Sequence, residues 1–127
     1  MRRIVIDMGN YLFADAIAQA LQNTDSDFDV YRVEKPEDTI DYCQLAKPYA
    51  LLMEVTGNVP FQLKDRLRIR EAVIRQDPNC KIVLIVDEKA DKKLAEDVRQ
   101  AKKDGLIDQF IYGSISASYL TALIDAL

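Results

Sequence analysis

Two carboxylates and a phenol stand where short apolar runs of this chain give out: Asp7 after Ile4-Val5-Ile6, Glu54 after Ala50-Leu51-Leu52-Met53, and Tyr112 after Phe110-Ile111. Taking an acid out of water is costly unless it meets a cation or hydrogen-bond donors, so an acid that ends a buried run calls for a partner or for solvent. The carboxyl ends of strands are also where open α/β sheets place their binding sites. If these three ends lie together, they form a polar edge that could bind a small molecule or support a reaction.

The elements that position them follow from periodicity. Residues 3–6, 50–53 and 82–86 are short apolar runs, as expected of parallel strands covered on both faces. Residues 28–33 and 107–111 mix polar and apolar positions and read as edge strands. Helical spacing joins Phe13, Ile17 and Leu21; Ile40, Cys43 and Gln44; Leu63, Leu67 and Ile74; Leu94, Val98 and Ala101; and Leu120, Leu123 and Leu127. Pro36 suits the first turn of the second helix, Pro78 follows the third, and Gly105 follows the lysine-rich end of the fourth. Five strand–helix units with right-handed crossovers predict one α/β domain over residues 1–127. Its expected fold is a flavodoxin-like, doubly wound, five-stranded parallel sheet of order 2-1-3-4-5 in three αβα layers. In that order Asp7, Glu54, Val86 and Tyr112 share one edge.

Composition narrows the chemistry. A chain of 127 residues with 49% apolar residues holds one sizeable core, and a net charge of −4 disfavours direct nucleic-acid binding and an anionic membrane surface. Gly9, Gly57, Gly105 and Gly113 are the only glycines, and they make neither a P-loop nor a GxGxxG turn. The chain has no histidine, which removes Ser-His-Asp and Cys-His catalysis and histidine-ligated zinc. Cys43 and Cys80 form no CxxC pair and read as packing thiols in a reducing cytosol. No signal peptide or membrane-spanning run is present, so the expectation is a cytoplasmic protein. Lys64, Arg66, Arg68, Arg70 and Arg75 on the third helix, and Lys92, Lys93, Arg99, Lys102 and Lys103 on the fourth, alternate with acids and read as solvated faces.

Over its full length the chain resembles the receiver domain of bacterial response regulators, in layout more than in reactive residues. That family ends its first strand in an acidic pair; here Ile4-Val5-Ile6-Asp7-Met8-Gly9-Asn10 keeps Asp7 and has Met8 at the second acid. The phospho-accepting aspartate ends the third strand, where Pro48-Tyr49-Ala50-Leu51-Leu52-Met53 leads into Glu54. Val86 matches the switch hydroxyl of the fourth strand. In Gln109-Phe110-Ile111-Tyr112-Gly113, Gln109 matches the switch aromatic and Tyr112 the phosphate-binding lysine. Receivers hold Mg²⁺ with carboxylates and a backbone carbonyl, and read the phosphoryl group with the lysine and hydroxyl. With those groups replaced, weak or absent Mg²⁺ binding is expected.

The resemblance implies a pseudo-receiver: a regulatory domain without enzymatic activity or a cofactor, acting through a protein partner or a homodimer. Ala95, Val98, Gln109, Tyr112, Tyr119 and Leu123, on the fourth helix, fifth strand and fifth helix, are the implied contact residues. It also allows a DNA-binding output domain beyond Leu127, as in a transcriptional response regulator. Glu54 is expected to act as a fixed negative charge at the acceptor position, against the simpler reading of Asp7 and Glu54 as solvated strand-end acids. The alternative function is a small-molecule-binding or enzymatic flavodoxin-like domain that uses Asp7, Glu54 and Tyr112.

Overall fold

A computed structural model describes residues 1–24, 27–87 and 91–127. Five parallel strands, β1 (Arg2–Asp7), β2 (Phe28–Val33), β3 (Ala50–Val55), β4 (Lys81–Val86) and β5 (Gln109–Tyr112), form one sheet in the order β2-β1-β3-β4-β5. The helices are α1 (Tyr11–Asn23), α2 (Thr39–Ala46), α3 (Leu63–Gln76), α4 (Lys92–Lys103) and α5 (Ala117–Asp125), with a 3₁₀ turn at Pro36–Asp38 leading into α2. This is the flavodoxin-like sheet expected from the alternation of runs. Residues 107 and 108 lie before β5 rather than in it, because the Asp108 N–H already bonds to the Ile82 carbonyl and the Asp108 carboxylate accepts from the Ile82 N–H.

Strand alternation sorts the core into two layers. Ile4, Ile6, Leu52 and Ile85 pack against Ile17 and Leu21 of α1 and Leu120 and Ile124 of α5. Val5, Leu51, Met53 and Leu84 pack against Cys43 of α2, Ile69 and Val73 of α3 and Val98 of α4. The central strands are buried on both faces, whereas four of the six β2 residues are half-exposed, which explains the mixed composition at that edge.

Helix ends follow local chemistry. Asn10, Asp91 and Ser116 cap α1, α4 and α5 by accepting the N–H of the third residue beyond them. Past α4, Gly105 takes φ +77°, a left-handed turn that suits glycine. Lys47 makes the equivalent turn after α2 with φ 47°. Among the described residues, no helix is long and apolar enough to cross a membrane.

Candidate functional site

Asp7 ends β1 and pairs with Met53, so it and Glu54 leave the sheet at the same end, as the strand order requires. Asp7 shares the alternation of Val5 and enters the α2–α4 layer, where it is 1% exposed. A buried carboxylate there needs a cation, and Arg66 supplies it. Arg66 Nη1 donates to Asp7 Oδ2 at 2.8 Å, and Nη2 donates to Asp7 Oδ1 at 3.2 Å and to the Asp7 carbonyl at 3.0 Å. Arg66 Nε donates to the Glu54 carbonyl at 2.7 Å, and Thr39 Oγ1 donates to Asp7 Oδ2 at 2.6 Å.

Arg66 is 0% exposed, which corrects its assignment to a solvated face of α3. The buried stripe of that helix is Arg66, Ile69 and Val73. Two side chains that look solvated one at a time thus neutralise each other. The fork-shaped guanidinium matches the carboxylate geometry in a way a lysine would not. The Phe61 ring covers the guanidinium, with its centroid 4.7 Å away. Thr39 was also missed: it opens α2 directly after the Pro36 turn, which fixes its hydroxyl over Asp7.

Glu54 follows the alternation of Leu52, toward α1. Its Oε1 accepts the N–H of Gly9 at 2.8 Å and of Asn10 at 3.1 Å, just ahead of the first turn of α1. A helix N-terminus carries unpaired N–H groups and a positive dipole end, so a carboxylate is favoured there. Glu54 is therefore a half-buried, hydrogen-bonded acid rather than a merely solvated one. The approach needs glycine at position 9, where an added Cβ would stand 2.9 Å from Phe61 Cζ. Phe61 thus touches both halves of the site.

Met8 is buried in the α1–α5 core and Val86 is 1% exposed. Tyr112 is half-buried and meets Phe110 edge-on, with ring centroids 6.0 Å apart. Beyond it, the Gly113 N–H bonds to the Val86 carbonyl at 3.0 Å, and the Phe13 ring stands 2.6 Å from where a Cβ would be. Gln109 Oε1 accepts from Lys102 Nζ at 2.8 Å, which ties β5 to α4. Asp7, Glu54 and Tyr112 do not form one polar edge, because Asp7 is enclosed.

Of the implied contact residues, Tyr119 is exposed and Ala95, Gln109, Tyr112 and Leu123 are half-buried. Val98 is corrected: at 0% exposure it belongs to the α2–α4 core and offers no contact atoms. A shallow groove of about 530 Å³ runs beside Gln109, Tyr119 and Leu123. An open cleft of about 720 Å³ lies between the ends of β3 and β4 and the starts of α3 and α4, with Val55, Leu63, Leu67 and Leu94 among its lining. Burial pushes the Cys43 and Cys80 thiols up to about 12, in line with packing rather than reactive cysteines.

Solved structures similar to this chain include response regulators and their receiver domains. One is a response regulator from Thermotoga maritima, 14% identical with a TM-score of 0.77, covering 99% of this chain and 96% of that one. Another is a DNA-binding response regulator of the LuxR family from Staphylococcus aureus, 13% identical with a TM-score of 0.76, covering 99% and 98%. A third, from Burkholderia pseudomallei, contains a phosphorylated aspartic acid, a calcium ion and citrate; it is 15% identical with a TM-score of 0.72, covering 98% and 66%. No protein-family model and no curated protein matches the sequence. At these identities the likeness defines the fold, a receiver-type α/β sandwich.

Proposed function

We propose that this domain is a receiver-like regulatory module that works by protein–protein contact, with a partner or a second copy, and without phosphotransfer. The observation that carries this reading is the committed state of both strand-end carboxylates. Asp7 is held by Arg66 and Thr39, and Glu54 by the N–H groups of Gly9 and Asn10. The Burkholderia pseudomallei protein of the same fold contains a phosphorylated aspartic acid and a calcium ion. On this reading the acid at the acceptor position is the longer Glu54, with Val86 and Tyr112 at the positions of the hydroxyl and lysine.

On this reading Glu54 is a fixed negative charge that holds the start of α1 in one position. Partner contact falls to the surface of α4, β5 and α5, where Tyr119 and Leu123 flank a shallow groove. A place at the head of a cytoplasmic transcriptional regulator fits this reading. The small-molecule alternative has less support, since Asp7 is sealed from any ligand.

The test is incubation with acetyl phosphate and Mg²⁺, read by intact mass and sedimentation velocity. Unchanged mass and unchanged oligomeric state are expected. A phosphoryl adduct on Glu54 would overturn the proposal.

A further inference from the structure

A receiver-type acidic end implies a divalent cation held by carboxylates and a backbone carbonyl, and the residues here do not fit one. The oxygens gathered around Arg66 at this end of the sheet are both carboxylate oxygens and the carbonyl of Asp7, together with the Glu54 carbonyl. Every one of them accepts a hydrogen bond from Arg66. The Glu54 carboxylate lies on the other side of the sheet, bonded to the Gly9 and Asn10 amides, and Met8 adds no hard donor. A divalent ion needs about six oxygen ligands, and would stand beside a cationic guanidinium that the Phe61 ring covers.

We infer that Arg66 is a built-in counter-cation that takes the place of a divalent ion at Asp7, so that the domain holds its conformation without responding to divalent cations. Covalent attachment to α3 makes the neutralisation permanent, and the four-oxygen grip ties the end of β1, the end of β3 and α3 into one unit. This rests on reading the strand ends as a receiver-type site, yet the two can fail separately. Phosphoryl transfer to Glu54 would remove the earlier proposal and leave the cation exclusion standing, whereas Mg²⁺ binding by the unmodified protein would do the reverse.

The experiment is thermal melting in EDTA and in millimolar Mg²⁺ or Ca²⁺, for the parent protein, Arg66→Met, and Arg66→Met combined with Asp7→Asn. The parent is expected to melt at the same temperature in all three solutions. Arg66→Met leaves Asp7 charged and unpaired, so in EDTA its Tm should fall by about 10–20 °C. Divalent ions should restore part of that loss. The double variant carries no uncompensated charge and should melt above Arg66→Met in EDTA, with no response to the ions.

A parent Tm that climbs with Mg²⁺ would overturn the inference. So would a folded Arg66→Met protein as indifferent to the ions as the parent. If Arg66→Met fails to fold in every solution, the double variant decides. Its folding supports Arg66 as the counter-cation of Asp7, and its failure makes the arginine a packing element and refutes the assignment.

Discussion

Asp7 and Glu54 leave the same end of the sheet toward opposite layers, one into the grip of Arg66 and the other onto the amides of Gly9 and Asn10. One ligand joins them indirectly: Arg66 bonds the Asp7 carboxylate and, through Nε, the Glu54 backbone carbonyl. Two acids that look like a common pocket in a linear reading are therefore held separately: Asp7 is sealed in by Arg66, and Glu54 is bonded through one oxygen at the edge of the open cleft. That division is what makes the module self-contained.

Breaking the Asp7–Arg66 pair should have a large effect on stability. Removing one partner of a buried ion pair leaves the other charged and desolvated, so Asp7→Ala should cost about 3–5 kcal/mol. Urea melts with an unchanged m-value would establish it. A loss below about 1 kcal/mol, the range of exposed pairs, would mean that Arg66 finds water or another acceptor.

Glu54 should separate shape from charge. Glu54→Gln keeps a carbonyl oxygen for the Gly9 and Asn10 amides and loses only the charge assistance, so its stability cost should stay under about 1.5 kcal/mol. Glu54→Ala strands both amides and should cost more. The regulatory reading adds that Glu54→Gln shifts dimerisation or partner affinity in sedimentation or calorimetry. Binding identical to the parent would return Glu54 to a purely structural role.

Glycine contacts give a sharp steric contrast. Gly9→Ala drives a methyl group into Phe61, and Gly113→Ala into Phe13, each at an expected cost of about 1–3 kcal/mol. Gly57→Ala meets no atom within 4 Å and should be far milder. Because Phe61 roofs Arg66, Gly9→Ala should also speed hydrogen exchange at Thr39 and Arg66. Exchange unchanged at those positions would show that the roof is not coupled to the ion pair.

The buried thiols set an alkaline limit. In the folded chain Cys43 and Cys80 are pushed up to about 12 from the ordinary value of 9.0, chiefly by burial. Below pH 9 both states hold these protons and the thiols make no pH-dependent contribution. Between 9 and about 12 the unfolded chain releases protons that the folded chain keeps, so stability should fall as pH rises. Replacing both cysteines with alanine should flatten that part of the stability curve, and native alkylation by iodoacetamide at neutral pH should be slow. Rapid labelling would contradict the burial of these thiols.

The sheet was legible because its three central strands are unbroken apolar runs, and a run buried on both faces has few alternatives. β5 begins two residues early in the linear reading because Ile107 is buried and looks like strand, while its neighbour Asp108 bonds back to Ile82. Arg66 was hidden for a different reason. Leu63, Leu67 and Ile74 gave an apparent apolar stripe, but the inward face is Arg66, Ile69 and Val73, and only the demand of Asp7 for a cation marks an arginine as part of it. Spacing from Ile69 and Val73 carried that signal: positions three and seven residues earlier both fall on Arg66. The opposite layers of Asp7 and Glu54 were also open to inference from strand alternation, once register was known.

The most direct test of the closed site is a ¹⁵N-resolved NMR titration of the parent protein with Mg²⁺ and beryllofluoride, a mimic of the acyl phosphate. The amides of Gly9 and Asn10 report on Glu54, and the side-chain Nε–H of Arg66 reports on the bond to the Glu54 carbonyl. All three resonances should stay in place at millimolar ligand, because their acceptors are already held inside the protein. New, slowly exchanging positions for Gly9 and Asn10, with loss of the bonded Arg66 Nε–H signal, would show that the site opens to a phosphoryl group and its metal, and would contradict the account.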